Sequence, residues 1–247
     1  MKRMPKILLI VIVGLLIVQN LPAQTIKVGV EPFPPLITSD LKGYTIEMLH
    51  AIEKVSDLKF SIKAMPYNRA KLELEKGEID LMGHTPKGME VKEFYDYAQE
   101  LAWSVPTRMD FYSKFPQRLN YPKTYRLGTP RGNAAFTAGV LSLPVSQFYE
   151  TTLENLLKML NKDRRDVQLV VFERASTMST IRKLDIKGIY YKNVGLGVRA
   201  GLAVAKSKKG DELKKVLEKY ISRIDQKQIF QDYYNYINLP DEGTVTW

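Results

Sequence analysis

The sequence predicts an α/β protein of two lobes, each a mainly parallel sheet flanked by helices, joined by two hinge strands. Three observations predict it. The stretch Pro66–Gly83, PYNRAKLELEKGEIDLMG, reads as loop, helix, tight turn and buried strand, the second half of a βαβ unit. A second βα pattern begins beyond an extended segment at Arg108–Ser113. The chain then returns late, through Gly201–Ala205 and a helix in which Leu213, Val216, Leu217, Tyr220, Ile221 and Ile224 recur at helical spacing. That strand and helix need a sheet to pack on after the second lobe has closed. The expected division is residues 24–110 and 199–247 for one lobe and 111–198 for the other, after a leader at 1–23.

In chain order, Thr25–Val30 alternates Ile26, Val28 and Val30, as a half-buried strand does. Glu31-Pro32-Phe33-Pro34-Pro35 interrupts it, because proline supplies neither helix nor central-strand hydrogen bonds. Gly43-Tyr44 opens a helix carrying Ile46, Leu49, Ile52 and Val55 on one face. Phe60 and Ile62 mark a second strand, Arg69–Lys76 a helix stopped by Gly77, and Ile79–Met82 a third strand. Strand, helix, strand, helix, strand within about sixty residues implies right-handed parallel crossovers. Beyond the hinge come a strand at Tyr125–Gly128, a helix at Ala134–Val140, a strand at Val145–Tyr149 and a helix at Leu153–Leu160. Val167–Phe172 is an apolar run suited to a buried parallel strand, followed by a helix at Ser176–Leu184 and a short strand at Ile189–Tyr191. Gln228–Tyr236 reads as a last helix and Asn238–Trp247 as a polar tail.

Composition narrows the function classes. The chain has 247 residues, 45% hydrophobic and 26% charged, an ordinary globular balance. Without cysteine there is no disulfide framework, thiolate nucleophile, thiolate metal site or lipid-modified N-terminal cysteine. Lys2, Arg3 and Lys6 precede the apolar run Ile7–Val18 and a short stretch ending Leu21-Pro22-Ala23, the pattern of a secretory signal. Cleavage near Ala23 and a periplasmic location are expected; a retained anchor is the alternative. The formal charge is +10, and the basic residues read as spread over helices, a solvated surface with some attraction to anionic envelope components. Arginine is not interleaved with aromatics in the manner of nucleic-acid binders. His50 and His84 lie far apart in sequence, so neither a metal nor a cofactor is expected.

Two stretches carry a family resemblance. VGVEPFPPL followed by GYTIEML, and the helix–GEID–apolar-strand unit, resemble the amino-acid-binding periplasmic solute-binding proteins, extracellular solute-binding family 3. Thr85 and Tyr95-Asp96-Tyr97 fit the loop that follows in that family, and KSKKGDELKKVL its return segment. The resemblance implies a type II periplasmic-binding fold, a small-molecule ligand, hinge closure, a monomer and an ABC-type membrane permease as partner. The arginine that holds the ligand carboxylate in amino-acid binders is missing near Met89 and Glu90. An alternative on the same fold is a small-carboxylate dehydratase using Glu173 and His84 as acid and base. A third is a sensor domain without a transporter.

The cleft between the lobes supplies the candidate ligand contacts. Arg131, Gly132 and Asn133 sit at a helix start, where free N–H groups and the helix dipole favour an anion; the alternative is Asn133 capping and Arg131 solvated. Arg69 lies in the first turn of its helix, where a cation is disfavoured unless something holds it: a ligand carboxylate, or Glu73 four residues on. Glu173 ends a strand on the loop side, where the resemblance implies an acid for the ligand's amino group. His84 and Thr85 follow the third strand. Phe33, Tyr44 and Tyr67 form an apolar wall, or else pack into the core. The expected activity is capture of a small polar, anionic or amino-acid-like solute, without catalysis.

Overall fold

The computed structural model describes residues 24–246; the leader at 1–23, with its cleavage site, and Trp247 lie outside them. The first lobe contributes β1 (Gln24–Val30), α1 (Tyr44–Lys54), β2 (Leu58–Ala64), α2 (Tyr67–Glu75), β3 (Leu81–Pro86) and the short α3 (Phe94–Tyr97). The long strand β4 (Ala98–Ser113) leads out of it. After two 3-10 turns at Pro116–Asn120 and Pro122–Thr124 come β5 (Leu127–Pro130), α4 (Ala134–Leu141), β6 (Phe148–Thr151), α5 (Leu153–Asn161), β7 (Leu169–Glu173) and α6 (Arg174–Lys183). A second long strand, β8 (Tyr190–Ala205), returns to α7 (Lys208–Ile221), α8 (Gln226–Ile229), α9 (Gln231–Ile237) and β9 (Glu242–Thr244). One sheet runs through the molecule in the order β2-β1-β3-β8-β4-β7-β5-β6, with β9 on β8. β1 pairs in parallel with β2 and β3, and β5 with β6 and β7, so each lobe has its own parallel set.

Alternation along the strands feeds a core on each face of the sheet. Leu81, Leu202 and Val204 join Ile26, Leu49, Ile52, Leu213 and Leu217 on one face of the first lobe, while Met82 and Ala203 join Leu74 and Phe94 on the other. In the second lobe Val170 packs with Leu156, Leu160 and Ile181, and its neighbours Leu169 and Val171 pack with Phe111 and Leu127. Gly77, at φ 71, ends α2 as the sequence predicts. Gly43 is needed for a second reason: at φ 107 a Cβ there would lie 2.3 Å from the Pro35 carbonyl, so glycine lets the proline loop sit against α1.

Four expectations need correction. The two strand pieces at 189–191 and 201–205 are one strand, because β4 pairs with β8 from Ser113↔Tyr190 to Ala98↔Ala205. The strand expected from Val145 begins at Phe148, since Val145–Gln147 form a 3-10 turn behind Pro144. The polar tail is ordered: Glu242–Thr244 pair with Tyr190–Lys192, and Val245 enters the second lobe's core. Val55, expected on the buried face of α1, is 46% exposed just past the helix end.

At the junction, Asp110 of β4 and Arg174 of α6 form an ion pair with both side chains at 0% exposure. Arg174 Nε donates to Asp110 Oδ2 at 2.6 Å and a terminal nitrogen to Oδ1 at 3.0 Å. Its other terminal nitrogen donates to the Leu239 carbonyl at 2.8 Å, and Asn193 of β8 donates to Asp110 Oδ1 at 2.9 Å. Removing one partner of such a pair strands the other without counter-charge. Arg174→Met is therefore expected to lower the unfolding free energy by about 3–5 kcal/mol. Urea denaturation measures it, and a loss below about 1 kcal/mol would show that the junction does not depend on the pair.

Candidate functional site

A cavity of about 380 Å³ lies between the lobes, past the C-terminal ends of their parallel strands. The first lobe lines it with Glu31, Phe33, Tyr67, His84, Thr85 and Glu90; the second with Gly132, Asn133, Phe136, Phe172 and Glu173. The lobes touch across it. Phe33 meets Phe172 edge-on at 5.6 Å between ring centroids. A Cβ on Gly132 would come within 3.4 Å of the Asn68 amide nitrogen, and φ 84 at Gly132 favours glycine as well.

Of the residues that sequence reasoning proposed, Phe33, Tyr67, His84, Thr85, Gly132, Asn133 and Glu173 are on the cavity wall. Tyr44, Arg69 and Arg131 are not among its lining residues. Tyr44 packs on Phe230 and Tyr233, with centroids at 6.2 and 6.3 Å, as part of the first lobe's core edge. Arg69 is 59% exposed and its Nε donates to Glu73 at 2.6 Å, the i,i+4 pair that satisfies a cation in an unfavourable first turn. Arg131 is exposed, and the helix start beside it is already occupied: Glu150 Oε1 accepts from the Ala134 N–H at 2.9 Å. Asn133 makes no capping bond; its amide donates to the Arg131 carbonyl. The anion clamp drawn from those two arginines therefore has no place in this cavity.

The sequence as a whole matches the bacterial extracellular solute-binding proteins, family 3, over residues 26–237. The chain belongs to that family. Among solved structures, this family 3 protein is similar to a histidine kinase sensor domain with similarity to periplasmic binding proteins, at 15% identity and TM-score 0.73, over 89% of this chain and 99% of the other. It is similar to an ABC uptake transporter substrate-binding protein from Streptococcus pneumoniae with bound histidine, at 16% identity and TM-score 0.69, over 88% and 94%. The arginine-, lysine-, histidine-binding protein ArtJ from Geobacillus stearothermophilus matches at 13% identity and TM-score 0.67, over 87% and 96%. At such identities the likeness establishes the type II periplasmic-binding fold. Comparison with individual curated sequences gives no significant match.

The charged groups of this family 3 cavity divide into satisfied and unsatisfied. Glu90, at the position where an arginine was expected, accepts from the Tyr67 hydroxyl at 2.5 Å and from Lys71 Nζ at 3.3 Å. Arg108 is ion-paired with Asp241, and Arg199 donates to the side chain and carbonyl of Ser104 at 2.8 and 2.6 Å. Glu31 and Glu173 have no ion-pair partner among the described residues. Burial pushes the Glu31 carboxyl up to about 7, although it accepts the Tyr67 backbone N–H at the start of α2. Burial likewise pushes Glu173 up to about 7, against the downward pull of N–H groups at the start of α6. Glu173 Oε2 caps that helix through Ser176 N at 2.7 Å; Oε1 is buried with no hydrogen-bond partner. His84 is held neutral by burial, with a pKa of about 3, its Nε2 paired with Thr45 Oγ1 at 2.9 Å and its Nδ1 unpartnered.

Sequence reasoning missed Glu31, Lys71, Glu90, Phe136 and Phe172. Glu31 had a usable signal, since it is the first residue past a parallel strand end, where α/β ligands gather. Phe172 shared that signal beside Glu173 at the end of β7, whereas Lys71 on α2, Phe136 on α4 and Glu90 in a loop carry no local mark of the cavity.

The raised acid sets a pH dependence. Glu173 keeps its proton in the folded chain after the unfolded chain, with an ordinary value of 4.5, has lost it. Its contribution to stability therefore falls as pH rises from about 4.5 to about 7 and is level above that. His84 acts oppositely, its contribution falling as pH drops from 6.5 to about 3. Comparing Glu173→Gln with wild type isolates the acid: the variant should gain several degrees in Tm on wild type between pH 4.5 and 7. Parallel profiles across that window would contradict the buried, protonated acid.

Proposed function

We propose that this protein captures a small amine-bearing, amino-acid-like solute between its lobes by hinge closure. The observation that carries the reading is the pair of acids without ion-pair partners, Glu31 on one lobe and Glu173 on the other, lining one interlobe cavity in which Lys71 and Arg108 are ion-paired and Arg199 is bonded to Ser104. A protonated amine entering between them supplies the missing counter-charge, and doing so from both sides couples binding to closure. Phe33, Phe136 and Phe172 provide the apolar wall, and His84 Nδ1 and the Glu173 Oε1 atom the open hydrogen-bonding positions. The anionic solute favoured from the sequence loses its residues once Arg69 and Arg131 are seen outside the cavity.

In this reading residues 24–110 and 199–247 make one lobe and 111–198 the other, the protein is exported to the periplasm, and an ABC-type permease receives the solute. The family and its structural neighbours are binding proteins. Turnover is the weaker reading, because a histidine with a pKa of about 3 is a poor base near neutrality and no hydrogen bond joins His84 to Glu173 among the described residues.

A thermal-shift screen of basic and neutral amino acids, polyamines, dicarboxylates and sugars tests the proposal. A binder at a hundred times its Kd adds about 2.7 kcal/mol of stability. Amine-bearing compounds should shift the wild type. Glu31→Gln and Glu173→Gln should each weaken them by about thirtyfold or more, the scale for truncating one partner of a buried charge pair. Arg69→Ala and Arg131→Ala should leave them unchanged. Shifts from dicarboxylates or sugars alone would refute the reading. Uptake of the identified solute by cells with and without the protein separates transport from sensing.

A further inference from the structure

Charge is unevenly divided between the lobes. Residues 111–198 carry 14 Lys and Arg against 6 Asp and Glu, a net of +8; residues 24–110 and 199–246 together carry 20 against 21, a net of −1. Within the second lobe much of the excess gathers at the end remote from the cavity. Since the cavity lies past the C-terminal ends of β5 and β7, their N-terminal ends mark the opposite tip.

That tip is built from the turns after β4 and the loop before β7, which are tied together. Lys114 Nζ donates to the Asn161 carbonyl at 3.0 Å, and Arg118 pairs with Asp163 at 2.5 Å. The Arg126 carbonyl accepts from the backbone N–H groups of Gln168 and Leu169 at 3.0 and 3.2 Å. On this frame Lys123, Lys162, Arg164 and Arg165 are exposed and have no ion-pair partner among the described residues. Of the two acids in the loop, Asp163 is committed to Arg118, leaving Asp166. Beside them Tyr121 is 63% exposed, and Phe115 stacks on the Arg118 guanidinium at 4.3 Å.

We propose that this distal tip of the second lobe is a docking surface for anionic lipid headgroups. Four cations without ion-pair partners on the loops of one tip repel one another. An anionic bilayer surface removes that repulsion, and each Lys or Arg held near it strengthens partitioning about fivefold. Exposed tyrosine beside basic residues suits the headgroup layer, where an amphipathic ring keeps its hydroxyl wet. The tip lies at the far end of the lobe from the cavity, so docking leaves the cleft free.

Sedimentation with vesicles tests this, using the full chain and the ratio of binding to phosphatidylglycerol-containing over pure phosphatidylcholine vesicles. The segment before Gln24 is common to every variant and cancels when their ratios are compared. The wild-type ratio should exceed ten in dilute salt and fall steeply as salt is raised. Lys123→Gln, Lys162→Gln, Arg164→Gln and Arg165→Gln combined should reduce it at least tenfold, to near one, while the Tm and any solute-induced shift stay as in wild type. A matched control, Lys54→Gln, Lys59→Gln, Lys63→Gln and Lys76→Gln on the first lobe, should change it less than twofold. Tyr121→Ser should reduce binding severalfold even in high salt. Equal losses in the two quadruple variants would mean diffuse attraction and overturn the site. Displacement by millimolar glycerol phosphate would mean a site for a free phosphate group and would also overturn it. An unchanged ratio for Tyr121→Ser, with equal affinity for soluble polyglutamate, would assign the tip to an acidic protein instead.

Discussion

Asp110 and Arg174 are both sealed from water, and a lone charge in that position would cost several kcal/mol. Their mutual geometry compensates: two bonds join them, and the remaining donor and acceptor positions reach Asn193 and the Leu239 carbonyl. Four separate segments thus meet at one pair: β4, the start of α6, β8 and the tail. The consequence for the site is direct, because Arg174 follows Glu173. With the guanidinium fixed on one side of the backbone, the preceding residue is held at the helix cap, one carboxyl oxygen on Ser176 and the other free.

Glu31 and Glu173 are each an acid at the C-terminal end of a parallel strand and near a helix start: Glu31 follows β1 and accepts from the Tyr67 N–H of α2, while Glu173 ends β7 and caps α6. Helix N–H groups favour the carboxylate, but burial disfavours it more, and the balance leaves both near neutrality. Under the proposed function, a cavity tuned this way discriminates by charge. A cation converts two costly acids into two ion pairs, whereas an anion would face them unprotonated only at a further cost. The contact of Phe33 with Phe172 encloses the same space and lowers its effective dielectric, which sharpens the discrimination.

Much of this was legible in the sequence, and the reasons divide cleanly. The parallel units were readable because their signals are local: Gly77 after a run of helix formers, alternating Ile26, Val28 and Val30, and the heptad-like face of α7. Strand-end position was enough to place His84, Thr85, Gly132 and Glu173 on the wall. Arg69 and Arg131 failed because charge type was weighed without knowing the competitors: Glu73 lies one turn on, while Glu150 arrives from a neighbouring strand and fills the helix start that seemed open. Tyr44 failed because its aromatic partners, Phe230 and Tyr233, come from the other end of the chain. The unity of β8 was hidden by Gly195 and Gly197, which break a local strand pattern although β4 continues to pair on both sides of them.

Those glycines lie where the β4–β8 ladder loses step. Between Arg108↔Gly197 and Asp110↔Asn193, β8 spends three residues against one on β4, with Gly195 at φ 81. Slack on one strand alone makes the crossover bend preferentially toward one side. The tail then spans that slack: Asp241 accepts from the Asn193 backbone N–H at 2.6 Å and pairs with Arg108, so it grips both strands across the irregularity. For the proposed hinge closure, this makes the tail a third connection across the two crossing strands, one that would limit how far the lobes part before backbone bonds must break.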